Sequence, residues 1–416
     1  MTANTFNTET ARSPLVCDAQ AQPDQKESVT RIAIIGAGLT GLMSAQLLEQ
    51  AFLRQGRAVT IELFEKSAGV GRLATRYKKP PSGGDRLWQF DFGAQFFTAK
   101  SEAFQQYLQP WINRKTIEPW QAKVAQVAKV AIVDEGLPHN PVSHIEPAKV
   151  WADSQPRYIA TPKMTHFGRE LAKALTHTAI KYKTRVAPLS SQSIIQTAPT
   201  ATHSAHTDTL AGDYKTLLCD EQGTVLGSYD WVICTAPQAQ AVELFADTDF
   251  AHLQAIQLPQ MLACYSLMLG WNQGQVLPQV LQDKDSDILQ VNDKHAVIET
   301  VFAEHHKPGR EQLLPSITLH ASNNWAQANV DQDIEQVKAL MYQAARQILS
   351  WDEDSAPEYV DCHRWRYAAT QQPCVSDYIA YGDTKKQWIV TGDWCDEGRI
   401  ESCFKAASAV VKLITH

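Results

Sequence analysis

The chain has 416 residues, of which 44% are apolar and 20% are charged, a globular composition with room for two domains and a deep pocket between them. The net charge of −7 gives no reason to expect a nucleic acid or an anionic membrane as a partner, and no apolar run has the length of a membrane span. The cysteines are scattered without a C-x-x-C pair, which predicts reduced core thiols in a cytoplasmic protein without disulfides or a metal site.

The N-terminal stretch 1–29 is polar and lacks the basic start and the apolar centre of a signal peptide. We therefore expect a disordered tail over 1–29. An apolar strand follows over 31–35, and it leads at once into a glycine turn and into apolar residues at helical spacing. This order of strand, tight turn and helix predicts the opening of a dinucleotide-binding fold.

Three glycines have the G-x-G-x-x-G spacing of a dinucleotide-binding turn. Gly36 turns the chain sharply, Gly38 lets the backbone approach a pyrophosphate, and Gly41 lets the helix pack closely on its strand. Leu39 and Thr40 lie at the helix N-terminus, where free N–H groups and the helix dipole favour the negative charge of a diphosphate. A strand and helix of this kind without any ligand remains the alternative.

A second apolar run, 58–64, predicts a second parallel strand that ends at Glu65. A carboxylate at this position accepts hydrogen bonds from both ribose hydroxyls and repels a 2′-phosphate, which favours FAD or NAD over NADP. Lys66 follows, and then a loop with Gly71 and Arg72, whose planar guanidinium is suited to pair with phosphate oxygens. A solvated basic loop is the alternative interpretation.

The middle of the chain contains three further segments that point to a cofactor. Residues 88–98 are densely aromatic and also contain small and polar residues such as Gln95. Small and polar residues are needed where the chain passes close to a cofactor. Core packing is the default interpretation of the aromatic residues. Val186 is placed either to lie against an adenine ring or to be an ordinary buried valine. Ala236 precedes a proline at a strand end, which suits main chain passing near a cofactor.

The stretch 188–213 predicts a long surface insertion.

The pattern from residue 242 to about 365 changes to longer strands and one strong helix, which predicts a mixed-sheet substrate domain. Helices are expected over 101–113, 165–175 and 331–349, and the longer strands over 262–271, 295–302 and 316–321.

The last apolar strand ends in Gly392 and Asp393. Asp393 is placed to hydrogen-bond a ribityl hydroxyl, although an aspartate at a strand end is also a common turn or cap residue. The final helix begins near Arg399, Ile400 and Glu401, and its N-terminus is expected to face the flavin edge where negative charge gathers on reduction. Because only FAD has a ribityl chain, these residues favour FAD over NAD as the bound cofactor.

With these segments together, the chain resembles the renalase family of FAD-dependent oxidoreductases, within the wider amine-oxidase-like flavoproteins. The resemblance spans nearly everything from Arg31 onward. It rests on Gly36 to Ala45, Glu65-Lys66-Ser67, Gly71-Arg72-Leu73-Ala74-Thr75-Arg76, Phe90-Asp91-Phe92-Gly93-Ala94-Gln95-Phe96-Phe97-Thr98, Leu319-His320-Ala321-Ser322 with Trp325, His363-Arg364-Trp365-Arg366-Tyr367-Ala368, and Gly392-Asp393-Trp394-Cys395 leading to Gly398-Arg399-Ile400-Glu401.

The resemblance implies noncovalent FAD and the oxidation of dihydronicotinamide substrates, the 2- or 6-dihydro isomers of NAD(P), by hydride transfer to flavin N5 with O2 reduced to H2O2. Such a reaction needs a protein that orients the substrate ring, and it needs no strong base. We expect Trp365, Arg366 and Tyr367 to form the substrate wall, with Gln95 and Phe96 opposite. A plain strand with a buried Trp and an exposed Arg is the alternative.

The expected fold is α/β, with a Rossmann-like FAD/NAD(P)-binding domain interleaved with a mixed-sheet substrate domain. The FAD-binding domain is assigned to 30–87, 157–241 and 366–416, and the substrate domain to 88–156 and 242–365. A flavin amine oxidase and a non-catalytic flavin- or nucleotide-binding sensor remain alternatives on the same fold. The expected partners are accordingly O2 and a small dinucleotide or amine.

Overall fold

The computed structural model describes residues 29–81, 83–129, 143–152, 156–190, 193–196, 214–282, 285–293 and 296–415. The predicted tail, except for its last residue, and most of the predicted insertion lie outside these ranges. The helices are α1 (Leu39–Arg54), α2 (Glu102–Asn113), α3 (Met164–Lys173), α4 (Gln238–Phe245), α5 (Leu253–Ile256), α6 (Gln279–Gln282), α7 (Asn323–Ala328), α8 (Ile334–Leu349) and α9 (Ile400–Thr415).

The strands run in chain order and fall into separate sheets. They are β1 (Thr30–Ile35), β2 (Val59–Glu65), β3 (Thr75–Lys78), β4 (Trp88–Asp91), β5 (Phe97–Thr98), β6 (Ile117–Pro119), β7 (Lys123–Lys129), β8 (Ser143–Ile145), β9 (Lys149–Val150), β10 (Arg157–Ala160), β11 (Thr178–Tyr182), β12 (Ile194–Gln196), β13 (Tyr214–Cys219), β14 (Val225–Tyr229), β15 (Trp231–Cys234), β16 (Met261–Gly270), β17 (Ile288–Val291), β18 (Ile298–Ala303), β19 (Ser316–Ala321), β20 (Tyr359–Thr370), β21 (Ala380–Asp383) and β22 (Trp388–Thr391).

A six-stranded sheet has the order β11-β2-β1-β15-β22-β21. Its strands pair in parallel, except that β21 runs antiparallel to β22 at one edge. The buried residues of β1 and β2 are almost all apolar, as expected for strands covered on both faces, and α1 packs against α9 beside the sheet. This is the predicted Rossmann-like domain, and the prediction is confirmed.

An eight-stranded sheet has the order β20-β16-β19-β18-β17-β7-β8, with β9 also paired to β7. It is mixed, because β17 and β7 are parallel while the other neighbours are antiparallel. Helix α8 covers it: Val337, Met341 and Ala345 are fully buried in one apolar cluster with Leu267 and Leu319. The predicted mixed sheet with a covering helix is therefore confirmed.

Capping side chains set the starts of α2 and α8. The Ser101 hydroxyl accepts a hydrogen bond from the Phe104 N–H at 3.4 Å at the start of α2. Asp333 accepts bonds from the N–H groups of Glu335 and Gln336 at 2.9 and 3.2 Å, so α8 begins at Ile334 and not at the predicted residue 331. The acidic residue Asp331 therefore precedes the helix and is not part of its first turn.

Two irregularities interrupt the eight-stranded sheet. Between β18 and β19, Ile298 pairs with Ala321 and Thr300 with His320, so Glu299 is an extra residue on β18. Between β16 and β20, the pairing moves from Leu262–Ala369 to Cys264–Trp365, so β20 contains two more residues than β16 over this stretch. Bulges of this kind bend a strand and re-aim its side chains.

Within the described residues, every helix is too short or too polar to cross a lipid bilayer.

Candidate active site

The glycine turn after β1 has the geometry that its spacing predicts. Gly36 has a φ of +109°, in the region that favours glycine, and its N–H donates to the Phe64 carbonyl at 2.8 Å. A Cβ on Gly41 would collide with the carbonyl oxygen of Gly36, so helix and turn touch there. A Cβ on Gly38 would meet no described protein atom within 4 Å. The backbone at Gly38 therefore faces open space of the kind a diphosphate fills.

Glu65 ends β2 beside this turn and is 8% exposed. Its two carboxylate oxygens accept hydrogen bonds from the N–H groups of Ala37 and Ser67 at 2.9 and 2.8 Å. These bonds fix the carboxylate at the cavity wall, and each oxygen keeps a lone pair for a further donor. Lys66 also lies on the wall, and its ammonium donates to the Gln240 side chain at 2.9 Å.

A cavity of about 820 Å³ extends from the glycine turn to the eight-stranded sheet. It brings together most of the residues that the sequence predicts for the cofactor. Those on its wall are Gly36, Gly38, Leu39, Thr40, Glu65, Lys66, Gly71, Arg72, Val186, Ala236, Asp393, Arg399 and Ile400. Trp365, Arg366 and Tyr367, predicted for the substrate wall, line the same cavity. Gly41, Gln95, Phe96, Gly392 and Glu401 do not line it.

Arg72 and Asp393 form a bidentate ion pair on this wall. The two guanidinium nitrogens lie 2.9 and 2.5 Å from the two carboxylate oxygens, and Arg72 also donates to the Ala368 carbonyl at 3.2 Å. The Asp393 side chain is 6% exposed and that of Arg72 is 31% exposed. The arginine therefore holds the carboxylate in one orientation and keeps part of its own guanidinium open to the cavity.

Two of the predicted C-terminal residues have structural contacts instead. The buried Glu401 carboxylate accepts bonds from the N–H groups of Lys100 and Ser101 at 2.7 and 2.8 Å, at the start of α2. A Cβ on Gly392 would collide with the indole of Trp394. Glu401 thus ties α9 to α2, and a glycine is required at position 392 by packing.

The predicted substrate wall is an aromatic cluster on β20. The Trp365 indole N–H donates to the Phe92 carbonyl at 2.7 Å, and the two rings stack with centroids 5.3 Å apart. The His363 ring packs edgewise on both, at 4.5 and 4.8 Å. Phe92 and His363 also line the cavity. Arg366 is half-exposed and pairs with Asp331 at 2.8 Å, so its charge already has a partner.

Gln95 and Phe96 were expected opposite this wall, but they do not line the cavity. Phe96 packs against Trp120, Trp151 and Phe302 in the core. Gln95 is 4% exposed. Its side-chain amide lies 3.4 Å from His320, which lines the cavity. The sequence pattern of the aromatic segment does not distinguish polar residues that face a ligand from polar residues that bind a buried charged side chain.

Gln95 contacts a cluster of four buried charged side chains that the sequence did not predict. Lys307 and Arg310 pair with Asp91 and Glu304, and all four side chains are 0% exposed. Arg310 bonds both carboxylates, Lys307 lies 3.0 Å from Glu304, and the Thr318 hydroxyl donates to Glu304 at 2.7 Å. Burial acts to raise the pKa of Asp91, but the charges of Arg310 and Lys307 outweigh it and hold the pKa below its ordinary value.

Through Gln95, the cluster sets which ring nitrogen of the cavity histidine His320 carries the proton. The Lys307 ammonium donates to Gln95 Oε1, and because an ammonium only donates, the amide NH2 must point the other way. That NH2 donates to the Asp91 carbonyl and lies 3.4 Å from Nε2 of His320. Nε2 is therefore the acceptor, and the proton of the neutral ring is on Nδ1.

The histidines of the cavity are neutral near pH 7. Burial, with a smaller contribution from the Lys307 charge, lowers the pKa of His320 to about 4. Burial and then the charge of Arg76 lower the pKa of His363 to about 4. Neither ring is a strong base, so this end of the cavity offers aromatic surface and hydrogen bonds.

The fold combines a Rossmann-like sheet with a second, eight-stranded mixed sheet, and one cavity extends from the first to the second. A model of the NAD(P)-binding Rossmann-like domain family matches residues 34–111. Over more than nine tenths of the chain, the fold is similar to that of proteins of known structure that are named as oxidases. A protein named as a protoporphyrinogen oxidase from Exiguobacterium sp. 255-15 has a TM-score of 0.63 at 13% identity, covering 93% of this chain and 98% of that one.

Two engineered variants of putrescine oxidase are also similar. Their TM-scores are 0.58 and 0.56 at 10% and 11% identity, and they cover 92% and 94% of this chain and 99% and 100% of their own. At these identities the likeness establishes the fold.

Proposed function

We propose that the protein is an FAD-dependent oxidoreductase of the renalase type, which oxidises 2- or 6-dihydro isomers of NAD(P) with O2 as the electron acceptor and H2O2 as the product. Noncovalently bound FAD supplies the hydride acceptor in this chemistry. The observation that carries the proposal is one continuous cavity that joins a dinucleotide-binding turn to an aromatic wall with neutral histidines.

The residues at the turn fit the adenosine diphosphate half of FAD. The open space at Gly38 accepts the pyrophosphate, the N-terminus of α1 supplies N–H groups, and the fixed Glu65 carboxylate accepts ribose hydroxyls. Asp393, held by Arg72, is an acceptor for a ribityl hydroxyl, and Arg72 and Arg399 add positive charge. A cavity of about 820 Å³ has the volume of a large ligand site.

The wall at the other end fits a flat ring that gives up a hydride. Trp365 is held in place by its bond to the Phe92 carbonyl, so it offers a rigid surface against which a dihydropyridine can stack. A dihydropyridine expels hydride with the help of its own ring nitrogen, so orientation is the main task of the protein. Neutral His320 and His363 agree with this, because the step needs no proton acceptor.

The first test is the absorption spectrum of the purified protein, which should show flavin bands near about 375 and 450 nm. The second is anaerobic titration with 2-, 4- and 6-dihydro-NAD(P) and with a panel of amines, following loss of the 450 nm band. We expect bleaching by the 2- or 6-dihydro isomers and H2O2 formation once air is admitted. A colourless protein contradicts the cofactor assignment, bleaching by amines alone favours an amine oxidase, and no bleaching favours a sensor.

A further inference from the structure

Glu299 is the extra residue of the bulge in β18 and it lines the cavity. The residues on either side of it, Ile298 and Thr300, pair with Ala321 and His320 of β19. Ala321 and His320 also line the cavity. Glu299 is exposed in a sheet whose neighbouring positions are largely buried. The bulge therefore presents a carboxylate at the substrate-domain end of the cavity.

The other carboxylates on the cavity wall all have partners. Glu65 accepts two backbone N–H groups, Asp393 pairs with Arg72, and Glu221 and Glu243 lie 3.2 and 3.4 Å from the Arg185 guanidinium. The Glu299 carboxylate has no hydrogen bond or ion pair among the residues that the structure describes. Although the residue is exposed, its place in the cavity removes the carboxyl partly from water, which raises its pKa, and no described cation offsets this. A carboxylate on the cavity wall without a protein cation is available to a cationic ligand.

We propose that Glu299 stabilises the positive charge that forms on the substrate ring when hydride leaves it. This inference rests on the proposed function. In that reaction a C–H bond of the neutral dihydropyridine breaks, the hydrogen departs with both bonding electrons to the flavin, and the ring becomes a pyridinium cation. No proton is transferred. The ground-state ring is neutral and the product ring carries a full charge, so a carboxylate beside the ring favours the transition state over the bound substrate.

Among the described groups that line this end of the cavity, Glu299 is the one that offers a negative charge. His320 and His363 are neutral, Arg366 is paired with Asp331, and Cys264, which also lines the cavity, has its pKa raised to about 12 by burial and then by the charge of Glu299. A thiol with that pKa is neutral at pH 7. Glu299 is thus the negative charge available to a cationic ring.

The test compares the FAD-loaded wild type with Glu299→Gln and with a control, Glu358→Gln. Glu358 is exposed and does not line the cavity, so the control makes the same change in net charge away from the site. Anaerobic stopped-flow measurement gives the rate of flavin bleaching by the dihydronicotinamide isomer that works best with the wild type. We expect Glu299→Gln to lower this rate about 10- to 100-fold and Glu358→Gln to leave it within about twofold.

A second readout does not depend on turnover. Calorimetric titration of the oxidised holoenzymes with 1-methylnicotinamide, a pyridinium cation, and with neutral nicotinamide should show a Kd raised about tenfold for the cation alone in Glu299→Gln. Equal effects on both ligands, or an unchanged bleaching rate, overturn the inference and leave the proposed function standing. If the wild type is not bleached by any dihydronicotinamide, the proposed function fails and the inference fails with it.

Discussion

Arg72 and Asp393 are separated by 321 residues in the chain, yet their side chains form the bidentate pair that joins the loop after β2 to the turn that follows β22. Removing the arginine leaves a carboxylate that is 6% exposed without its cation. We predict that Arg72→Ala lowers the free energy of unfolding by about 2 kcal/mol and lowers the ratio of flavin to protein after purification.

The measurement is denaturant unfolding together with the 450 to 280 nm absorbance ratio. Lys100→Ala is the control, because Lys100 and its partner Glu397 are 63% and 45% exposed, and its unfolding free energy should change by less than about 0.5 kcal/mol. If Arg72→Ala keeps a full complement of flavin, the pair has no part in the cofactor site.

Gly38 and Gly41 give a matched pair of alanine substitutions. Gly41→Ala places a methyl group against the Gly36 carbonyl, so it should destabilise the protein by about 3 kcal/mol. Gly38→Ala meets open space and has a φ of −71°, so its unfolding free energy without flavin should match the wild type. Its Kd for FAD should rise at least about tenfold, since the methyl group occupies the space assigned to pyrophosphate. Fluorescence titration of the apoproteins measures this, and normal FAD affinity in Gly38→Ala would place the pyrophosphate elsewhere.

Gln95 should act on His320 without touching the substrate. We predict that Gln95→Leu lets the His320 ring proton exchange between Nδ1 and Nε2, whereas the wild type holds it on Nδ1. Nitrogen-15 NMR of the histidine side chains distinguishes the two tautomers. Gln106→Leu, at an exposed position of α2, is the control and should keep the wild-type signals. A wild-type ring protonated on Nε2 would show that Gln95 does not set the tautomer.

The buried cluster should make Lys307 important for stability. Lys307→Met leaves Glu304 with Arg310 as its only cation among the described residues and removes the bond to Gln95. We expect the unfolding free energy to fall by about 3 to 5 kcal/mol, measured by urea unfolding of the holoenzyme. A loss below about 1 kcal/mol would show that the pair with Arg310 suffices.

The pH dependence of stability should reflect His320. Its pKa in the folded protein is about 4, below the ordinary value of about 6.5. As the pH falls through about 6.5 the unfolded chain takes up a proton that the folded chain does not, so stability decreases between about pH 6.5 and 4 and this contribution is constant above. Its full size is at most about 3 kcal/mol. His320→Gln should flatten the decrease, as followed by thermal unfolding at several pH values. An unchanged slope would mean that the ring is not held neutral.

The parts of the site that follow from local sequence were predictable. The glycine turn and Glu65 lie within one strand–helix–strand unit, where spacing alone determines which atoms meet. Asp393 followed from its place at a strand end. These residues line the cavity because neighbouring parallel strands bring their carboxyl ends to the same edge of the sheet.

The parts that depend on distant contacts were not predictable. The stretch from His305 to Arg310 reads as an ordinary polar loop, because nothing local shows that Lys307 reaches Gln95, 212 residues away, or that Arg310 reaches Asp91. Glu299 was missed for a different reason. A bulge shifts the alternation of a strand by one residue, and only the register of the partner strand reveals it.

The order of strands in the Rossmann-like sheet also has a consequence for biosynthesis. Strand β1 pairs with β15, which in turn pairs with β22, so the sheet cannot close until residues 388–391 have been made. Asp393 is synthesised 321 residues after Arg72, and until then the Arg72 guanidinium lacks its carboxylate partner. If the protein binds FAD as proposed, we expect flavin binding to be a late event, so ribosome-bound chains that stop before β22 should bind no flavin.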